Sequence, residues 1–273
     1  MSSQSLVDVR EIKKSFFVGK QEINVLRGIT FTIDQGEFAI IVGPSGCGKS
    51  TLLHTILGLE EPSSGEIIFL GENIYNNTDE DYRSNFRKKH IGMIYQQPNW
   101  IKSMNVVENV AFPLILLGME KEQASQRALE LLTQVNLLDW ANYMPTELSG
   151  GQQQRIALAR GLANNPEIII ADEPTGNLDF QAGQNVMQLL SDLNTKQGKT
   201  VIMVTHDLEY LRYARKAVRL LDGKVEQIYT EDTIHELVSE VKTKRGVGPA
   251  NAEAPGKNQE NEHEQPQSTQ STQ

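Results

Sequence analysis

Hydrophobic and polar positions alternate with a period of two over much of the first part of the chain, which is the pattern of half-buried β-strands. One run, at residues 37–43, is apolar almost throughout, as expected for a strand buried on both faces. The turn residues Asp34-Gln35-Gly36 lie directly before it. The predicted strands are "LVDVREI" (6–12), "NVLRGITFTI" (24–33), "EFAIIVG" (37–43) and "GEIIFL" (65–70), and "KSTLLHTILGL" (49–59) has helical spacing.

The middle of the chain changes to helical periodicity. A T-x-x-D pattern at Thr78, and Ser149 with Gln152 three residues later, both have the form of capping boxes at helix starts. The predicted helices are "TDEDYRSNFRKKH" (78–90), "NVVENVAFPLILL" (105–117), "KEQASQRALELLTQV" (121–135) and "GGQQQRIALARGLANN" (150–165), with "IGMIYQ" (91–96) as a short strand.

Strands and helices alternate again in the last third, which predicts a parallel sheet. The predicted elements are strands 167–172 and 200–205, helices 180–196 and 207–214, a hairpin of 217–223 and 224–230 across Asp222-Gly223, and a last helix 232–242. After Gly246 the sequence is polar with one large aliphatic residue, Val247, so residues 246–273 are predicted to be a disordered tail.

Composition narrows the class of protein. The chain has 273 residues, with 26 basic and 35 acidic side chains and a formal net charge of −9, so no nucleic-acid partner is expected. The single cysteine, Cys47, excludes an intrachain disulfide and fits a reducing compartment. The longest apolar run, residues 111–119, is too short to cross a bilayer, so we expect a soluble chain that depends on another polypeptide for any membrane span.

The stretch "GPSGCGKST" follows an apolar strand and opens a helix, the context of a phosphate-binding P-loop. Glycines let backbone N–H groups surround the β-phosphate, Lys49 adds a full charge, and the Ser50 hydroxyl is a candidate Mg²⁺ ligand. Cys47 could be there only because a small residue fits, but we expect its thiol beside the phosphates, where alkylation would block nucleotide binding. The candidate nucleotide-binding residues are Gly43, Pro44, Ser45, Gly46, Cys47, Gly48, Lys49, Ser50 and Thr51.

The fold class that follows is α/β. We predict a P-loop NTPase with a RecA-like core, an N-terminal antiparallel β-subdomain and a helical subdomain inserted at about residues 97–164, within one domain spanning residues 1–245.

Polar residues lie where three predicted strands end, at the edge where parallel sheets gather ligands. Asp172 is a candidate Mg²⁺ ligand, and Glu173 is positioned to act as a general base on the attacking water. Gln96 and His206 follow two other strands. Together they could supply a Mg²⁺ or water ligand and an imidazole that contacts the γ-phosphate.

A second anion site is predicted in "LSGGQQQR", where Ser149, Gly150 and Gly151 open a helix. With the P-loop, Gln96, "IIIADE", "NLD" and His206, this motif makes the chain resemble ABC ATPases over about residues 7–229. The resemblance implies that two copies pack head to tail, with the Ser149–Gln152 motif of one facing the γ-phosphate held by the other. It also implies that Asp179 communicates between the sites and that Phe16 stacks on adenine, with Phe17 as the competing choice.

Within this family, "ADEPTGNLD" and "MNVVENVAFPL" resemble the macrolide-exporter and lipoprotein-release branch. The resemblance implies ATP and Mg²⁺ as cofactors, separate integral membrane permease subunits as partners, and a location at the cytoplasmic face of the cell membrane. A regulatory ATPase of a cell-wall or cell-division complex and a non-transport ABC ATPase are the alternatives. The stripe Trp100, Ile101, Met104 and Val107 is either core or the groove for a helix of the membrane partner.

Overall fold

A computed structural model of the chain describes residues 5–76 and 79–244. The strands are β1 Ser5–Val18, β2 Gln21–Asp34, β3 Phe38–Val42, β4 Ser64–Phe69, β5 Glu72–Asn73, β6 Ile91–Ile94, β7 Ile168–Asp172, β8 Thr200–Val204, β9 Lys216–Leu221 and β10 Lys224–Thr230. The helices are α1 Lys49–Ile56, α2 Glu80–His90, α3 Val106–Leu116, α4 Lys121–Gln134, α5 Gly150–Gly161, α6 Phe180–Gln197 and α7 Ile234–Lys244. The predicted tail at 246–273 and the capping residue Thr78 lie outside these ranges.

The strands form two sheets. The larger has the order β10-β9-β3-β8-β7-β6, parallel from β9 to β6, with β10 added antiparallel by the predicted hairpin. The smaller is antiparallel throughout, with the order β2-β1-β4-β5. The predicted α/β class, with a parallel core and an N-terminal antiparallel sheet, is confirmed.

The large sheet separates two hydrophobic clusters. Successive side chains of β3 point to opposite faces, so Phe38 and Ile40 lie in one cluster while Ala39 and Ile41 lie in the other. The first cluster packs against α3 to α6, and the second against α1 and the antiparallel sheet. Because both faces are covered, all five residues of β3 are buried, which explains the apolar run in the sequence.

The helices α3, α4 and α5 share the first cluster with the sheet. Helix α3 begins with a capping box between Asn105 and Glu108, and α4 buries the i, i+4, i+7 and i+8 positions from Ala124 to Leu132. Their core is continuous with that of the sheet. The bounds of a separate helical subdomain at about 97–164 therefore stay a prediction.

Several element ends differ from those predicted. Strand β1 continues to Val18 because its second half pairs with β2, with Phe16 opposite Ile23. Helix α2 is capped by Asp79, whose side chain accepts from the Asp81 N–H. The predicted helix at 207–214 is a 3₁₀ helix, Leu208–Tyr213. Across residues 5–76 and 79–244, every helix falls short of the length and apolar character that a membrane span requires.

Candidate nucleotide-binding site

The loop between β3 and α1 is shaped by glycines for two different reasons. Gly46 and Gly48 have φ of 78° and 103°, in the left-handed region that side chains rarely adopt. At Gly43 the constraint is space, since a Cβ there would lie 2.4 Å from the Leu220 carbonyl oxygen and 2.7 Å from Cys47 Sγ. The loop thus turns tightly against β9 and presents its backbone to the cavity in front of it.

A cavity of about 510 Å³ lies against this loop. It brings the P-loop residues together with Glu173 and His206, as the sequence predicts. Val25 of β2 also lines it, and nothing in the sequence indicated this residue because a lone aliphatic side chain in a strand carries no functional signal. The lining residues are Val25, Ser45, Gly46, Gly48, Lys49, Ser50, Thr51, Glu173 and His206.

Lys49 is the first residue of α1 and is only 8% exposed. Its Nζ donates hydrogen bonds to the carbonyl oxygens of Gly43 at 2.8 Å and of Pro44 at 2.9 Å. Gly48 precedes α1 and has no side chain to cap it, so the first N–H groups of the helix are left for another acceptor. A phosphate would satisfy these groups and the ammonium together.

The acid pair lies where β7 ends. Glu173 has a φ of 44°, in the left-handed region, and its N–H donates to the Val204 carbonyl oxygen at 2.9 Å. A non-glycine residue in this conformation marks a position where the surrounding structure fixes the backbone. His206 Nδ1 lies 3.1 Å from Glu173 Oε2, so the imidazole and the carboxylate form a hydrogen-bonded pair at the cavity wall.

The carboxyl group of Asp172, the residue before Glu173, is less stable in its ionised form than an exposed carboxyl group. Burial and the neighbouring Glu173 raise its pKa, although His54 and Lys49 act in the opposite direction. A cation at this position would relieve the repulsion, and the Ser50 hydroxyl offers a second oxygen ligand. Among the described residues, His, Cys, Asp and Glu side chains form no group of three that could hold a metal ion. The donors fit Mg²⁺, which retains water and phosphate oxygens as ligands.

Gln96 lies outside the cavity wall. Its Nε2 is 3.5 Å from Asn177 Oδ1, and a Cβ on Gly176 would approach Nε2 to 2.7 Å. It lines a neighbouring cavity of about 340 Å³, which Gly150 also lines. Its assignment as a Mg²⁺ or water ligand stays a prediction.

The second predicted anion site lies at the start of α5. Ser149 caps α5, and its capping box with Gln152 is present as predicted. Gly150 is exposed and has room for a side chain, with Leu178 Cδ2 3.5 Å from a Cβ. At Gly151 a Cβ would lie 2.8 Å from the Ala182 Cβ, so this glycine is needed for packing against α6. None of these residues is among those that line the 510 Å³ cavity.

Asp179 is the N-cap of α6, where its Oδ1 accepts from the Ala182 N–H at 2.8 Å. It therefore stabilises α6 within its own chain. Because Gly151 packs on Ala182, the start of α6 and the start of α5 lie side by side. The role of Asp179 between two sites stays a prediction.

The two aromatic candidates for adenine stacking lie near the end of β1. Phe16 is 36% exposed with Lys14 Nζ 5.0 Å from its ring centroid, and Phe17 is 73% exposed. Neither is among the residues that line the 510 Å³ cavity. Stacking by Phe16 stays a prediction.

The position of Cys47 corrects one expectation. Its side chain is 4% exposed and belongs to the second hydrophobic cluster, against Gly43. The thiol is therefore packed into the core, and reagents have little access to it. Only the backbone of Cys47 remains a candidate for phosphate contact.

The stripe from Trp100 to Val107 belongs in large part to the core. Trp100 and Val107 are partly buried against the first cluster, and the Trp100 Nε1–H donates to Gln153 Oε1 at 2.9 Å. Ile101 and Met104 are also half-buried. A role of the stripe in docking a partner stays a prediction.

Comparisons with known proteins show which proteins this chain resembles. A family model described as ABC transporter matches residues 26–176. MJ1508 of Methanocaldococcus jannaschii, an uncharacterized ABC transporter ATP-binding protein, is 45% identical over 223 residues, covering 82% of this chain and 99% of its own. YbbA of Escherichia coli strain K12, with the same description, is 40% identical over 227 residues, covering 83% of this chain and 99% of its own.

A solved structure is also similar. The dimeric post-hydrolysis state of the ATP-binding cassette MJ0796, bound to ADP and Pi, matches with a TM-score of 0.77 and 42% identity. The match covers 82% of this chain and 98% of that chain. The source of MJ0796 is Methanocaldococcus jannaschii. The chain therefore belongs to the ABC transporter family, as an ATP-binding subunit and an ATPase.

Proposed function

We propose that two copies of the chain pack head to tail around two ATP molecules, so that each reaction centre is completed by the other copy. The observation that carries this proposal is that the exposed start of α5 is not part of the cavity wall that holds Lys49 and Glu173. Ser149 and Gly150 lie at the start of α5, where backbone N–H groups can contact an anion that another molecule supplies. The dimeric state of the MJ0796 structure supports the same arrangement.

The residues of each centre divide the work of phosphoryl transfer, which needs mainly positioning and charge neutralisation. Lys49 leaves the carbonyls of the loop to bind the β- and γ-phosphates. Glu173 accepts a proton from the attacking water, and His206 holds the carboxylate in place and contacts the γ-phosphate. Ser50, Asp172 and Gln96 would hold Mg²⁺, which supplies further positive charge against the phosphate oxygens. The Ser149–Gln152 motif of the other copy closes the site.

We infer that the closing motion drives separate integral membrane subunits, with the chain at the cytoplasmic face of the cell membrane. The description of the relatives as ABC transporter ATP-binding proteins supports transport as the setting. The assignment to the macrolide-exporter and lipoprotein-release branch rests on "ADEPTGNLD" and "MNVVENVAFPL". Extrusion or force transmission is the activity that this branch implies.

Head-to-tail closure is tested by Gly150→Asp. Gly150 is exposed and has room for a side chain, so the variant should fold normally and bind ATP in its own cavity. A carboxylate at the start of α5 would repel the phosphates of the other copy, so we expect ATP-dependent dimerisation to be lost and ATPase activity to fall by roughly 100-fold. Light scattering with and without ATP, together with steady-state ATPase assays, measures both effects.

The matched control is Thr146→Asp, which places the same charge on an exposed residue just before the motif. It should leave dimerisation and ATPase activity close to those of the unmodified chain. ATP-dependent dimerisation that persists in Gly150→Asp would exclude the start of α5 from the shared site.

Asp172→Asn should raise the stability of the nucleotide-free protein while it weakens the effect of Mg²⁺ on ATP binding. Because the pKa of Asp172 is raised in the folded chain, the ionised carboxylate is less favourable there than in the unfolded chain at neutral pH. Removing its charge should raise the unfolding temperature of the nucleotide-free protein and should remove the stabilisation that Mg²⁺ adds to ATP binding. Thermal unfolding with ATP, with and without Mg²⁺, gives both results. A lower unfolding temperature without ligand would contradict the charge argument.

A further inference from the structure

Three side chains of α5 bond to the segment that carries Gln96, residues 95–100, which we name the Gln96 loop. Gln154 Nε2 donates to the Tyr95 carbonyl oxygen at 2.9 Å. The Arg160 guanidinium donates to the carbonyl oxygens of Pro98 and Asn99. Gln153 makes the third link, through Trp100. The Gln96 loop is therefore bound to α5 on both sides of Gln96.

Gln153 is distinctive because it also bonds towards the start of its own helix. Its Oε1 accepts from Trp100 Nε1 at 2.9 Å, and its Nε2 donates to the Leu148 carbonyl oxygen at 2.9 Å. An indole can only donate and a carbonyl can only accept, so a single orientation of the amide satisfies both partners. Leu148 directly precedes Ser149. One side chain thus joins the Gln96 loop to the residue next to the helix cap.

The indole at the other end of this link is itself held firmly. The Arg160 guanidinium lies 4.7 Å from the Trp100 ring centroid, and the ring packs against the first hydrophobic cluster. Gln153 and Arg160 are seven residues apart on α5 and so lie on the same face of the helix. Trp100 is consequently held by α5 at two points, so a displacement of the Gln96 loop at Trp100 would also alter its contacts with α5.

The same contacts border the cavity of about 340 Å³ that both Gln96 and Gly150 line. Gln96 itself is held weakly, with its Nε2 3.5 Å from Asn177 Oδ1. The loop therefore has a loosely bound side chain, Gln96, that lines the same cavity as Gly150, and a firmly bound side chain, Trp100, that contacts α5. A shift of the loop at Gln96 would therefore be carried through Trp100 to the start of α5, and a shift of α5 would be carried back to the loop.

We propose that Gln153 is a positioning residue that passes a shift of the Gln96 loop through Trp100 to Leu148 and Ser149. Gln153 contacts neither nucleotide nor metal in this proposal. It acts only by positioning the start of α5. The inference rests on the proposed head-to-tail closure, in which Ser149 and Gly150 contact the nucleotide of the other copy. It adds the contacts through which nucleotide binding at one site would position the Ser149–Gln152 motif against the nucleotide of the other copy.

Gln153→Met and Trp100→Phe test this path. Methionine keeps the length of the side chain but forms neither hydrogen bond, and phenylalanine keeps a ring over Arg160 without the N–H. Each should raise the concentration of a slowly hydrolysed ATP analogue needed for half-maximal dimerisation by roughly tenfold, the size expected when one partner of a hydrogen bond is removed. The double variant should be no worse than Gln153→Met alone, because both substitutions remove the bond between Trp100 and Gln153.

Binding of a fluorescent ATP analogue by the monomer should be unchanged in all three variants, because neither residue lines the 510 Å³ cavity. A purely structural defect would lower both binding and dimerisation. Gln188→Met is the matched control, since Gln188 lies on the exposed side of α6 and its Nε2 donates to Asp192 Oδ1 at 2.9 Å. Trp100→Phe carries the test by itself if Gln153→Met does not fold.

Unchanged dimerisation in both single variants, or losses that add in the double variant, would overturn the proposal. Gly150→Asp in the same assay separates this from a failure of the proposed function. If Gly150→Asp abolishes dimerisation while Gln153→Met and Trp100→Phe do not affect it, only the path through Gln153 is wrong. If Gly150→Asp has no effect, head-to-tail closure is wrong and the path has no purpose.

Discussion

Glu173→Gln is expected to lower ATPase turnover by about 10²–10⁴-fold while ATP binding is retained, because a general base contributes roughly this factor to proton transfer. The amide has the shape of the carboxylate and can still accept a hydrogen bond from His206, but it cannot take the proton of the attacking water. ATP should therefore persist between two copies, and a stable dimer should accumulate. Single-turnover hydrolysis and light scattering in the presence of ATP measure the two effects.

The matched control is Glu167→Gln, at the opposite end of the same strand. Glu167 is exposed and lies 3.1 Å from His90 Nδ1, so it also pairs with a histidine but stands far from the ligand edge of the sheet. It should keep full turnover. Rapid hydrolysis by Glu173→Gln would show that Glu173 is not the general base, whatever the oligomeric state of the variant.

Lys49→Ala is expected to weaken ATP binding by roughly 100-fold or more, because it removes a charge-assisted hydrogen bond to phosphate in a half-enclosed site. Lys49 also bonds the carbonyl oxygens of Gly43 and Pro44, so the empty loop should lose some of its order. Binding of a fluorescent ATP analogue gives the affinity, and thermal unfolding shows whether the fold survives.

Lys199→Ala is the control for the structural part of this effect. Lys199 Nζ holds loop oxygens in the same manner, donating to Asn165 Oδ1 at 2.8 Å and to the Pro166 carbonyl oxygen at 2.7 Å, but it lies at the other end of the sheet. It should lower the unfolding temperature slightly and leave ATP binding intact. Equal affinity loss in both variants would show that Lys49 acts through the fold instead of through phosphate.

Local sequence determined most of the secondary structure. The apolar run at residues 37–43 specified a strand buried on both faces, and Ser149 with Gln152 specified the start of α5, because these signals depend on neighbouring residues only. The limits of β1 and the 3₁₀ form of Leu208–Tyr213 were missed, since strand pairing and packing decide them.

The sequence by itself also indicated that the P-loop residues, Glu173 and His206 would lie together, since each follows a predicted strand of the parallel sheet. Only the tertiary structure decided where the side chains point. It placed the Cys47 thiol in the core, added Val25 to the cavity wall, and joined Trp100 to Leu148 through Gln153. Most of these contacts link residues far apart in the chain, such as Trp100 and Gln153, and their distances depend on how the strands and helices pack, which no local pattern records.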